Sequence, residues 1–141
     1  MTDQHLAELF GWFDDYSEPY RQSEVTTLAK TSELKYEHTL KVVGEMDRLT
    51  DSLSMPADEA RMARVNALFH DMGRFDQFRL YNTLADRFSV DHSDLGVAEL
   101  RRHQVLQNLE SEQITIIENA ILAHNKLGVP DDYEGDDRFF A

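Results

Sequence analysis

Six histidines occur in this 141-residue chain, and four of them, His38, His70, His92 and His124, stand on separate segments where they could share one task. Asp71 follows His70 directly, about 100° further round a helix. A neutral imidazole is the commonest metal ligand, and carboxylates suit hard divalent ions. Neighbouring His and Asp side chains cannot point along one line, but they can flank a metal lying between their directions near a helix end. An aspartate so placed can also bridge two metals, one oxygen to each. A single inward-facing histidine is more often a hydrogen-bonded core residue than a ligand. Four on four segments shift that balance, because burying four imidazoles without a shared partner is costly. The remaining two are expected to be solvated. His103 follows His92 by a helical rise of ~16 Å, too far for a common metal, and His5 lies in a polar terminal segment.

The elements that must position these residues read as helical, since apolar spacing of three and four recurs and strand-like alternation is hard to find. The first helix is expected from about Asp3 to Tyr16, with Leu6, Leu9, Phe10 and Phe13 inward and a break around Pro19 to Ser23. Leu34, His38, Val42, Met46, Leu49 and Leu53 mark one face of a long second helix. Pro56 suits a helix start, with Asp58 and Glu59 in the favourable first turn. Met62, Val65, Phe69 and Met72 form that third helix's apolar face, and Gly73 reads as its stop. Beside it Ala60, Ala63 and Ala67 make a closely packed seam leading to His70 and Asp71. Residues 74 to 91 read as an irregular connection with a short helical piece. A helix is expected from near Asp91 through Leu95, Ala98, Leu100 and Val105, and a last one from Glu112 to Asn125 carrying Ile114, Ile117, Ile121 and His124. Each of the three prolines is expected at a helix boundary.

The bulk numbers bound what such a bundle can do. The length fits one compact domain, and 41% apolar residues suffice for one core. With no cysteine, disulfides, thiolate ligands and cysteine nucleophiles are excluded. The first residues carry acid rather than a basic cluster, and no apolar run approaches a membrane span, so a cytoplasmic protein without membrane partners is expected. The 27 acidic and 14 basic side chains give a net charge of −13, which repels long nucleic-acid polymers. A nucleotide-sized anion stays open, because a bound metal reverses the potential locally.

Four segments then resemble the motifs of the HD superfamily of metal-dependent phosphohydrolases, in order. Leu34-Lys35-Tyr36-Glu37-His38-Thr39-Leu40 is similar to its opening motif, and Phe69-His70-Asp71-Met72-Gly73-Arg74 to its His-Asp motif. Asp91-His92-Ser93-Asp94-Leu95-Gly96 and Ile121-Leu122-Ala123-His124-Asn125-Lys126 resemble the third and fourth histidine motifs. The resemblance covers about residues 30 to 140. It implies an all-α HD-type bundle of five or six helices holding one or two divalent ions, among which Mn, Fe, Zn, Mg and Ni are not distinguished. By that resemblance His38, His70 and Asp71 hold the first metal, Asp71 bridges to a second on His92 and His124, and Arg74 contacts a substrate phosphate. The family's closing aspartate has no match here. Asp136-Asp137-Arg138-Phe139-Phe140-Ala141 resembles the approach to its helix, so a single domain truncated at the C-terminus is expected.

The implied chemistry is hydrolysis of a nucleotide or another small phosphate ester by metal-activated water. The alternative is a catalytically weak or inactive HD domain acting as a ligand-binding, regulatory module. Lys126 and Arg79 are weaker candidates than Arg74 for the phosphate, with solvated surface cations the blander reading. Phe75, Phe78 and Tyr81 could stack on a base, though packing against the bundle is the expected role for most of them. Substrate, metal identity and oligomeric state are not legible.

Overall fold

The structure, a computed structural model, describes residues 1–124. Six α-helices occupy this stretch: α1 (Asp3–Arg21), α2 (Thr26–Ser52), α3 (Ala57–Phe69), α4 (Gly73–Tyr81), α5 (His92–Arg102) and α6 (Ser111–Ala123). A single 3-10 turn, Asp86–Phe88, lies between α4 and α5. No strand occurs among the described residues, and the fold is an all-α bundle. No described helix is long and apolar enough to cross a membrane. The expected Lys126, the acidic loop Asp131 to Asp137 and the final Phe139-Phe140-Ala141 lie outside the described residues.

The core gathers on Phe13, which is fully buried and stacks on Tyr36 at a centroid distance of 5.9 Å, with Phe69 and Phe75 edge-on at 6.4 and 6.0 Å. Leu6 and Leu9 continue this apolar side of α1, while Val65, Leu68, Met72, Val97, Leu100, Ile117 and Ile121 close the core from the other helices. Phe75, a candidate for stacking on a base, is thus spent on packing.

Several boundaries differ from the sequence reading, each for a local reason. The first helix does not break before Pro19 but runs through it to Arg21. Pro19 is in the last turn, and the Asp15 carbonyl it deprives of a donor belongs to an exposed residue that water can reach. On the inner side Tyr20 donates its hydroxyl to Asp76 Oδ1 at 2.5 Å and holds the turn against α4. The other end of α1 is closed by a capping box in which Thr2 Oγ1 accepts from the His5 backbone at 3.1 Å and the His5 ring accepts from the Thr2 backbone. His5 is therefore a half-buried cap rather than a solvated side chain.

The long helix α2 forms as expected, but its buried line is Leu28, Ser32, Thr39, Val43 and Thr50, rotated from the apolar stripe. Leu34, Leu49 and Leu53 are exposed, and His38, Val42 and Met46 are half-buried. Small and hydroxylated residues face inward here, and the larger leucines lie on the flank.

Gly73 is not a stop. It opens α4, and His70, Asp71 and Met72 form a tight corner between α3 and α4 in which His70 and Met72 keep helical dihedrals. Glycine is needed for proximity: a Cβ at Gly73 would overlap the carbonyl oxygen of His92 and lie 2.7 Å from the Gly96 nitrogen. The start of α5 thus sits directly on the start of α4. At its far end α5 stops at Arg102, short of the expected Val105, and Gln104 adopts a left-handed φ of 52°.

Candidate metal centre

Three of the four histidines stand at helix ends. His70 caps the C-terminus of α3, His124 caps the C-terminus of α6, and His92 is the first residue of α5; His38 lies within α2. The apolar faces that bury Phe69 and Ile121 therefore deliver His70 and His124 to the same end of the bundle. The Gly73–Gly96 contact brings His92 beside them.

The structure brings every expected ligand around Asp71, which is 2% exposed. Its Oδ2 lies 3.6 Å from His70 Nε2 and 3.9 Å from His38 Nε2. Its Oδ1 lies 3.2 Å from His92 Nε2 and 3.8 Å from His124 Nε2. Ligand atoms of His38, His70 and Asp71 lie within 4.8 Å of one another, as do those of Asp71, His92 and His124. One carboxylate oxygen faces each triad.

The tautomers follow from the partners. His70 Nδ1 is 2.6 Å from the Ala67 carbonyl and His124 Nδ1 is 2.6 Å from the Ile121 carbonyl. A carbonyl only accepts, so both Nδ1 atoms carry the proton and both Nε2 atoms present lone pairs. His92 Nδ1 is 3.0 Å from both oxygens of Asp86. That carboxylate stays ionised, because the bonds from His92 and the Arg74 charge overcome the upward push of burial.

Fit to a divalent cation is tested by what these groups lack. His70 Nε2 and Asp71 Oδ1 are buried without a hydrogen-bond partner. Such atoms are costly to leave unpaired, and an imidazole lone pair beside a carboxylate oxygen is a donor set that a divalent metal satisfies. The electrostatics agree. Burial pulls the His70 pKa down, favouring the neutral ring that ligates. Burial alone would raise the Asp71 carboxyl, but His70, His124, His92 and the Lys35 ammonium outweigh it and hold it well below the usual carboxylate range. For this buried pair, the direction that stands is ionised Asp71 beside a His70 ring that burial keeps neutral, with the Ala67 carbonyl fixing which nitrogen holds the proton.

Arg74, expected to meet a phosphate, bonds inward. Its Nη1 donates to Gln77 Oε1 at 2.8 Å, the Leu84 carbonyl at 2.5 Å and Asp86 Oδ1 at 3.3 Å. Its Nε lies 3.7 Å from Asp71 Oδ1 and has no hydrogen-bond partner. Arg79 turns the other way, onto Asp76 at 3.1 Å. His103 is exposed as expected, yet it packs against Trp12 and Tyr16 at 5.7 and 5.8 Å and pairs with Glu99 at 3.1 Å.

Two residues of the site escaped the sequence reading. Lys35 Nζ lies 3.5 Å from Asp71 Oδ2. Its spacing of three before His38 puts it on the same helical face, a signal that could have found it. Asp86 carried no signal, being one of 27 acidic residues in a stretch without periodicity.

A family model for the HD domain matches residues 36–137. The match covers well over half of the chain, and the chain belongs to the HD domain family. Neither the curated proteins nor the solved structures compared with it gave a match.

Proposed function

We propose that this chain is a metal-dependent phosphohydrolase for a small phosphate ester, such as a nucleotide, with the metal held at Asp71. The observation that carries the reading is the convergence of four histidine Nε2 atoms on the two oxygens of one buried carboxylate. Family membership supports it, because HD domains are generally hydrolases that bind divalent metals. We read the helices as one HD-type domain, since α1 packs into the same core as the matched region.

His38, His70 and Asp71 would hold one ion, and Asp71, His92 and His124 a second. A divalent ion held there supplies a bound water acidic enough to be a nucleophile near neutral pH and screens phosphoryl charge. The chain's own residues do the rest. Asp71 stays ionised across the physiological range and offers one oxygen to each side. His70 and His124 keep their lone pairs aimed inward because their Nδ1 protons are fixed on carbonyls. Arg74, released from Asp86, would add a charge-assisted hydrogen bond to a phosphoryl oxygen. With imidazoles outnumbering carboxylates, a transition metal is the preferred occupant.

A second reading, a ligand-binding module without turnover, is favoured by the inward bonding of Arg74. One experiment addresses both: metal content and hydrolysis of a panel of nucleotides and other small phosphomonoesters and diesters, for the chain and for Asp71→Ala. The enzyme reading expects bound metal and turnover, both lost in the variant. Metal that is retained by Asp71→Ala sinks the assignment, and metal binding without turnover on any ester favours the module.

A further inference from the structure

We infer that Asp86 is the positioning residue of the second triad, the group that fixes the His92 ring so that its Nε2 faces Asp71 and His124. The inference rests on the metal reading above and extends it to a residue outside the HD motifs. His70 and His124 each anchor Nδ1 on the carbonyl three residues earlier, in the last turn of their own helices. His92 cannot do this. It is the first residue of α5, so no helical turn precedes it. A carboxylate from six residues upstream takes that place.

The contact is suited to orientation. Both Asp86 oxygens lie 3.0 Å from His92 Nδ1, and Oδ1 also accepts from the His92 backbone N–H at 3.1 Å. Ring and main chain of one residue are thus tied to one carboxylate, which fixes both the entry of α5 and the turn of the ring. Asp86 is itself held from α4, by Gln77 Nε2 at 2.8 Å and Arg74 Nη1 at 3.3 Å. Gln77 is completely buried, and its amide also donates to Ser89 Oγ at 2.8 Å, so the 86–92 segment is braced against α4. Supporting groups of this kind hold ligands within the narrow tolerance that a metal site needs. A carboxylate partner also makes an imidazole a more basic ligand than a carbonyl partner does.

Ligand atoms of Asp86, Asp91 and His92 also lie within 4.8 Å of one another. They do not form a third cation site on this reading. The His92 atom on that side is the protonated Nδ1, and Asp91 Oδ1 is occupied as the cap of α5, accepting from Ser93 N at 2.8 Å. The group orients and does not ligate.

The test is a Co²⁺ titration of the full chain, followed by visible absorbance and by stoichiometry, with two classes of bound ion expected. His124→Ala identifies the second class by removing it. Asp86→Asn, which keeps the side-chain volume, should weaken that same class by roughly tenfold to a hundredfold and leave the first unchanged. Asp86→Ala, which removes the acceptor altogether, should weaken it further. An intact first class is the built-in evidence that the variants fold. Equal weakening of both classes, including by loss of the fold, overturns the positioning role and leaves Asp86 as a structural tie. An unchanged second class overturns it as well. A wild-type chain that binds no Co²⁺ overturns the metal reading itself, and this inference with it.

Discussion

His92 and His124 bring their Nε2 atoms to 3.0 Å of each other while each ring is already committed at Nδ1 to an oxygen acceptor. Two neutral rings of that tautomer would face each other lone pair to lone pair. One proton or one metal ion between them and Asp71 relieves the conflict. The metal-free chain uses the proton: burial pulls the His92 pKa down, but the contacts with Asp71 and Asp86 outweigh it and raise the value above that of an ordinary histidine.

A pH dependence follows, with the sign set by these shifts. His92 is raised above 6.5, so near that pH its Nε2 holds a proton that a metal must displace. His70 is lowered and stays neutral there, and Asp71 is ionised throughout. In Co²⁺ titrations at pH 6.5 and 8.5, the class containing His92 should weaken far more at the lower pH than the class containing His70. Proton release on binding, measured in two buffers of different ionisation enthalpy, should be larger for the weaker class. Equal pH slopes for the two classes would contradict the assignment of the proton to His92.

Asp71→Asn separates ligation from folding. The substitution keeps the shape but removes the charge that both triads share, so both Co²⁺ classes should be lost. Wild type should gain stability as metal is added, by ~2.7 kcal/mol at a hundredfold excess over its dissociation constant. The variant should show no such gain. In the absence of metal the variant should itself melt below wild type, because Asn cannot replace the ionised carboxylate that faces Lys35 and His92. A metal-induced rise in melting temperature that survives Asp71→Asn would remove Asp71 from the centre.

How much of this was legible beforehand varied with the kind of residue. The five ligand candidates stood out because histidines are few and their segments repeat recognisable patterns. The helices stood out because Phe13, Val65 and Ile117 recur on inward faces. Asp86 did not, since its importance comes from a turn that sets it beside His92 and not from any periodicity. The stripe on α2 misled because Ser32, Thr39 and Thr50, which are polar by type, are the residues that face the bundle. Gly73 misled because glycine after a helix usually means a left-handed cap, whereas here it means contact between two backbones. Both errors arise from tertiary packing, which sequence pattern does not encode.

That contact gives a stability prediction. Gly73→Ala would force its methyl into the His92 carbonyl, a backbone atom that cannot rotate away. Overpacking of a rigid site costs about 1–3 kcal/mol, and here relief requires moving the start of α5. Urea unfolding should show a loss toward the upper end of that range. Because His92 rides on the same turn, the second Co²⁺ class should weaken in parallel while the first is less affected. Wild-type stability in this variant would mean that α4 and α5 are not held at this distance.

The inward bonding of Arg74 gives its replacement opposite effects on metal and on substrate. Its guanidinium bridges Asp86 and the vicinity of Asp71, so removing it takes a positive charge from between two carboxylates. Without substrate, Arg74→Gln should therefore bind the first Co²⁺ ion at least as tightly as wild type, since a competing cation is gone, while the second class loses one of the two supports of Asp86. With substrate the sign reverses. A charge-assisted hydrogen bond contributes ~1.5–3 kcal/mol, so loss of the phosphate contact should lower kcat/KM by roughly tenfold to a hundredfold. Arg74→Lys should recover part of it, because the charge returns without the bidentate geometry. Steady-state kinetics beside metal titration on the same preparations would resolve the two effects. If Arg74→Gln left kcat/KM at saturating metal untouched, Arg74 would be only a brace for Asp86 and not a contact for the phosphate.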